Sequence, residues 1–189
     1  MTMSSYEFHA EDDSSQATTG TPVGPITVTS NGRSITRVTW RETDTEFGQL
    51  DDTGLGAAGP DADHTDPLLV EALRQLRAYF DGTMTTFDLP LDLGQISATA
   101  RTVLTTLDET VEPGTTVTYG ELARRSGRGI PARAIGSIMG LNPLPLVIAC
   151  HRVVASDGLG GYSGGRRGEE LATKRWLLEF EDALPRPLF

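Results

Sequence analysis

At 189 residues and 38% hydrophobic content the chain can fill one or two small cores, and it contains no apolar stretch near the ~20 residues of a membrane helix. One cysteine excludes an intrachain disulfide and a Cys-rich zinc site, and the lack of a basic-then-apolar leader leads us to expect a cytoplasmic protein with a free thiol. The net charge of −10 argues against nucleic acid only until its distribution is read: residues 1–92 carry five Lys and Arg against 16 Asp and Glu, whereas between Tyr119 and Arg175 nine stand against four.

Residues 1–20 are polar and acidic, the composition of a disordered leader. Ile26 and Val28 alternate with threonines, Asn31-Gly32 is a tight-turn dipeptide, and Thr36, Val38 and Trp40 alternate again, which predicts a hairpin. Thr43 to Asp66 reads as a Gly/Asp-rich loop. Asp66 as cap and Pro67 at the first helical position then open a helix with an apolar stripe of Leu69, Ala72, Leu73, Leu76 and Phe80, stopped by Asp81-Gly82. Phe87, Leu89, Leu91 and Leu93 alternate as a third strand.

Ser97 to Leu107 carries Ala100, Val103, Leu104 and Leu107 at helical spacing and begins a second unit. Thr118-Tyr119-Gly120-Glu121 is a capping box, so a helix starts at Tyr119 and ends near Ser126-Gly127. Pro131 opens another, through Met139 to Gly140. Two short helices around a Gly-containing turn, with arginines about them, fit a helix-turn-helix as well as they fit an ordinary helical hairpin. The expected organisation is α+β: a leader over 1–20, an N-terminal α/β domain over 21–93, a mainly helical domain over 94–183 and a tail over 184–189.

Cys150 ends the apolar run Leu144 to Ala149 and is followed at once by His151 and Arg152. A buried thiol is ordinarily a small hydrophobe, but a thiol where the chain turns basic is placed to be a nucleophile. In an extended strand His151 would point away from the Cys150 sulfur, so contact between them needs a bent backbone or a bridging water. A final helix over Glu169–Asp182 puts Glu181 on the same side as Leu177 and Leu178, where a carboxylate wants a partner.

In one order the chain holds Asn142-Pro143, Cys150-His151-Arg152-Val153, Tyr162-Ser163-Gly164-Gly165, Lys174, Trp176-Leu177-Leu178 and Glu181. From Thr118 to Glu181 it resembles the O6-alkylguanine-DNA alkyltransferases, in which a cysteine takes an alkyl group from a flipped-out guanine and is not regenerated. The resemblance implies a ribonuclease-H-like N-terminal domain, then a helical domain with a winged-helix-like helix-turn-helix. It makes Cys150 the acceptor and His151 the base acting through a water, with Glu181 orienting the imidazole. Asn142 becomes a backbone hinge and Tyr119 a donor to the guanine ring, while main-chain groups at Cys150, Val153 and Ser163 hold the base edges. Tyr162, Ser163 and Gly164 form a loop over the base. Arg133 fills the space left by the flipped nucleotide, with Ala132, Ser137 and Met139 on the same DNA-facing helix.

The partner so implied is double-stranded DNA bearing O6-alkylguanine, met by a monomer with no membrane and no cofactor; the zinc site of some relatives needs cysteines that the N-terminal domain lacks. Two departures stand out. Ala149 replaces the family's usual proline before the cysteine, and the helix from Ser97 lacks the family's Phe-Gln and Val-Trp pairs. A non-catalytic sensor of alkylated DNA and a cysteine alkyltransferase acting on a small molecule are the alternatives.

Overall fold

The structure, a computed structural model, describes residues 14–41, 66–127 and 129–184. Its N-terminal unit is a three-stranded antiparallel sheet in the order β1 (Ser15–Thr19), β2 (Ile26–Ser30) and β3 (Ile35–Trp40). The central strand is buried throughout, so its hydroxyls must find partners: Thr18 and Thr27 bond each other at 2.8 Å. The expected hairpin is present. Asn31 Oδ1 accepts from the Arg33 and Ser34 amides, and Gly32 takes φ +77°.

Two expectations are corrected here. Ser15–Thr19, read as leader, pairs along β2 from Ser15↔Ser30 to Thr19↔Ile26. Its polar letters hid a strand whose Ala17, Thr18 and Thr19 are buried and whose β-branched threonines suit a pleated surface. The first 13 residues, and nearly all of the loop expected over Thr43–Asp66, lie outside the described residues. The strand expected over Phe87–Leu93 does not form; only Leu91 bridges Ile35. Pro90 has no amide to give a ladder, and the Gln75 side chain takes both the amide and the carbonyl of Asp88, at 2.8 Å each.

Helix α1 (Pro67–Phe80) is as expected: Asp66 caps it by accepting from the Leu68 amide, and the stripe Leu69, Ala72, Leu73, Leu76 and Phe80 is buried, the helix packing on β1 and β2. The second unit starts with α2 (Ala98–Thr110), capped by Ser97 and about a turn longer than its apolar spacing suggested. Then come β4 (Val117–Thr118), α3 (Tyr119–Arg125), α4 (Ala132–Met139), a 3₁₀ turn at Cys150–Arg152, β5 (Val153–Val154) and α5 (Glu170–Phe180). Thr118 caps α3 through the Glu121 amide, while the Glu121 carboxylate engages Arg124 and Arg125.

A short parallel ladder not foreseen from the sequence, Val117↔Val153 and Thr118↔Val154, fixes the start of α3 against the residues just after Cys150. The two units share one apolar core. Tyr79 and Phe80 of α1 pack with Phe87, Trp176 and Phe180, Trp176 stacking on Phe180 at 5.0 Å, and the Val38 amide of β3 donates to the Pro143 carbonyl at 2.9 Å. Among the described residues no helix is long and apolar enough to cross a membrane.

Candidate active site

The segment that carries Cys150 is held in an irregular path by one side chain. Asn142 donates from Nδ2 to the Ile148 carbonyl at 2.9 Å and accepts at Oδ1 from the Leu144 amide at 3.0 Å. Between them Leu146 sits at φ +75°, a left-handed conformation costly for a branched side chain and kept here by the surrounding bonds. The Cys150 amide donates back to Ile148 at 2.7 Å across Ala149, whose φ −73° and ψ 59° define an inverse γ-turn.

That φ lies in the proline range, and among the described residues the buried Ala149 amide has no acceptor. Restoring proline should therefore be tolerated. Ala149→Pro is expected to stabilise the fold by about 0.4–1 kcal/mol, chiefly by restricting the unfolded chain, and thermal unfolding would show a rise in Tm.

The 3₁₀ turn supplies the bend that an extended strand lacked. His151 is fully buried; its Nε2 meets Glu181 Oε1 at 3.0 Å, and its Nδ1 is buried with no partner among the described residues. Arg152 clasps the same carboxylate, Nε to Oε2 at 2.8 Å and Nη2 to Oε1 at 2.9 Å, and its Nη1 donates to the Val111 carbonyl. Glu181 is the C-cap of α5, which ends two residues short of the expected Asp182.

The electrostatics follow from burial. Burial pushes the Cys150 thiol up to about 11, against the pull of an Asn142 hydrogen bond and the Lys174 charge. The basic neighbourhood therefore does not make a resting thiolate, and the thiol has to be deprotonated in the course of a reaction, the task expected of His151. Burial likewise lowers the pKa of His151, with Glu181 opposing, so the imidazole rests neutral and can accept a proton. For Glu181 burial works upward, but hydrogen bonds from His151 and Arg152 outweigh it and keep the carboxyl ionised. Lys174, fully buried on α5, donates to the carbonyls of Val153 at 2.6 Å and Gly161 at 2.8 Å; burial brings it down to about 8.

Above Cys150 lies a cavity of about 370 Å³, lined on one side by Gly136, Met139 and Gly140 of α4 and its cap, and on the other by Tyr119, Gly161, Tyr162 and Ser163. The Tyr119 hydroxyl accepts from the Gly161 amide at 3.1 Å. Gly160, at φ +68°, has to be glycine, since a Cβ there would lie 2.7 Å from that hydroxyl. The Tyr162 ring lies so close over Gly164 that a side chain there would collide with it.

The cavity thus joins Cys150, Tyr119, Met139, Tyr162 and Ser163 of the residues expected from sequence. His151, Glu181 and Asn142 stand behind it. Ala132, Arg133 and Ser137 are outside it on the exposed face of α4, while Ile135, Ile138 and Met139 point into the core. Val153 is fully buried, its carbonyl held by Lys174 and its amide bonded to Cys150, and Gly164 is buried under Tyr162. Three participants were given no role from sequence: Lys174, Arg152 as a firm partner of Glu181, and Tyr79, whose hydroxyl donates to Glu181 Oε1 at 2.7 Å. Lys174 was legible in principle, three and four residues before the buried Leu177 and Leu178.

Two packed helices, α3 and α4, set beside a buried cysteine with a His–Glu pair behind it, have the arrangement of a cysteine-nucleophile protein, and the comparisons make its class a DNA-binding one. Comparison with known proteins agrees in detail. Residues 98–183 match the 6-O-methylguanine DNA methyltransferase DNA-binding domain, and residues 16–93 match the ribonuclease-like domain. The methylated-DNA–protein-cysteine methyltransferase of Mycobacterium bovis is 34% identical over 168 residues, 87% of this chain and 90% of that protein. A crystal structure of the Mycobacterium tuberculosis O6-methylguanine methyltransferase superposes with a TM-score of 0.68 at 32% identity, covering 93% of this chain and 97% of that one. A second crystal structure of the Mycobacterium tuberculosis protein, in complex with DNA, gives 0.68 at 34% identity over 87% and 91%. The chain belongs to the 6-O-methylguanine DNA methyltransferase family.

Proposed function

We propose that this chain repairs alkylated DNA by direct reversal, moving a methyl or larger alkyl group from O6 of guanine onto Cys150 in a single turnover. The observation that carries the reading is Cys150 at the floor of a base-sized cavity, with a neutral buried imidazole behind it and the exposed face of α4 beside it. In the reaction the Cys150 sulfur forms a bond to the alkyl carbon as the carbon–O6 bond breaks, and the electron pair of that bond passes to the guanine. The thiol proton moves through a water to His151 Nδ1, which has no partner among the described residues, and Glu181 stabilises the imidazolium. The imidazolium then gives its proton back through solvent and the guanine takes one up, so guanine is released neutral, His151 is neutral again, and atoms and charge balance.

Lys174, close enough to Cys150 to act on its charge, favours the thiolate as it forms. Tyr119, whose hydroxyl reaches the Gly161 amide at the cavity wall, turns it to the departing guanine. Tyr162, Ser163 and Gly164 close over the base, whose edges meet the main chain at Cys150 and Ser163; Val153, buried with its amide and carbonyl already bonded, supports the turn beneath instead. Asn142 keeps the irregular backbone under the sulfur. The base leaves the duplex to reach this cavity; Arg133, exposed at the start of α4, fills its place, and Ala132 and Ser137 let the helix approach closely while Met139 lines the pocket. The protein works as a monomer in the cytoplasm and needs no cofactor.

The test is a duplex carrying one O6-methylguanine, read by intact protein mass. Wild type should gain one methyl, while Cys150→Ala should gain none and still bind the duplex. A bound duplex with no mass change in wild type would make the chain a damage sensor. No binding and no change would point to a small-molecule substrate.

A further inference from the structure

We propose that Tyr79, on α1 of the N-terminal unit, is a positioning residue of this site: its hydroxyl occupies the Glu181 oxygen that faces His151 and so limits how strongly the carboxylate draws on the imidazole. The inference rests on the acceptor role of Cys150 argued above. Tyr79 and Glu181 are 102 residues apart, and their 2.7 Å bond is the shortest of the four that the carboxylate receives. Tyr79 is 2% exposed, and burial and the neighbouring carboxylate keep its hydroxyl protonated, hence a donor.

The distribution of those bonds separates tuning from mere support. Arg152 alone grips both oxygens of Glu181, through Nε on Oε2 and Nη2 on Oε1, so the carboxylate keeps its orientation without Tyr79. The tyrosine adds a third donor to Oε1, beside His151 Nε2 and Arg152 Nη2. Each donor on one oxygen lowers the charge left for the others, so the Tyr79 hydroxyl weakens the pull of Glu181 on the His151 proton. The consequence is a resting site in which imidazole and thiol stay neutral, with the N-terminal unit built into that setting. The other groups facing His151 are Lys174 and Glu181 from the α5 side, Cys150 and Arg152 of its own turn, and the Tyr162 ring at 6.4 Å; Asp108 of α2 acts on Arg152.

Tyr79→Phe removes the oxygen and keeps the ring. In the full chain, without DNA, alkylation of Cys150 by iodoacetamide is followed against pH by intact mass. The low-pH limb of the profile is expected to rise by about half a pH unit in Tyr79→Phe, with alkylation about 3-fold faster on the plateau above it, because a more basic His151 keeps its proton to higher pH and shifts the neutral pair toward imidazolium–thiolate. Tyr79→Leu should show the same shift with a lower Tm, since it loses the ring packing as well. Profiles that superimpose on wild type, or a Phe variant that fails to fold, would overturn the assignment and leave the hydroxyl a structural tie. A shifted iodoacetamide profile in a protein that takes no methyl from O6-methylguanine duplex would uphold Tyr79 and sink the repair reading.

Discussion

Replacing Glu181 with alanine is expected to cost about 3–5 kcal/mol of folding stability and to slow alkyl transfer by about 10²-fold or more. Both effects have one origin. The side chain is 4% exposed and neutralises Arg152, itself 9% exposed, while it also receives His151 and Tyr79. Without it a buried guanidinium keeps only the hydrogen bond to the Val111 carbonyl and the charge of Asp108, and the imidazole loses the partner that sets its tautomer and stabilises its cation. Urea unfolding and single-turnover transfer measure the two losses separately.

The pH dependence supplies a check of sign. The carboxyl of Glu181 titrates below its ordinary value of 4.5 in the folded protein, so its contribution is fully present above that value and is lost as pH falls through the lower, folded one. The wild type should therefore lose stability below about pH 4.5 more steeply than the alanine variant.

Features set by local chemistry were legible in the sequence, and those set by distant partners were not. The caps at Asp66 and Thr118, the hairpin at Asn31 and the apolar stripe of α1 follow from neighbours within a few residues, and the structure keeps them all. The family motif placed Cys150, His151, Asn142 and Glu181 in one site. What stayed hidden depends on chain brought from far away. Ser15–Thr19 becomes a strand because β2 offers it an edge, and Phe87–Leu93 fails to become one because Gln75, 13 residues before Asp88, takes the Asp88 backbone. Tyr79 lies on the α1 stripe three residues after Leu76, where its ring reads as core, and its polar role appears only when α5 arrives. The 3₁₀ turn at Cys150 was likewise unreadable in an apolar run that alternation would have extended.

Lys174→Met should separate catalysis from stability, which Glu181→Ala does not. The ammonium is buried, holds the Val153 and Gly161 carbonyls and acts on the charge of Cys150. Its removal takes away a cation that opposes the burial of a thiolate already resisted up to about 11, so transfer should fall by about 10-fold or more. Folding has two opposing terms: two carbonyls lose a donor, but an ammonium no longer has to leave water. The balance shifts with pH, and its sign is fixed by linkage. A lysine that titrates at about 8 when folded and 10.5 when unfolded binds fewer protons in the folded state between those values, so wild-type stability should climb as pH rises from about 8, until Cys150, raised from 9.0 to about 11, opposes it above about pH 9 in both proteins. Methionine has no proton to lose, and this climb should vanish in the variant. Denaturation midpoints at pH 7 and pH 10 for both proteins read the difference directly; an equal rise in both would mean that Lys174 is not the group titrating, and the drop in transfer would then need another cause.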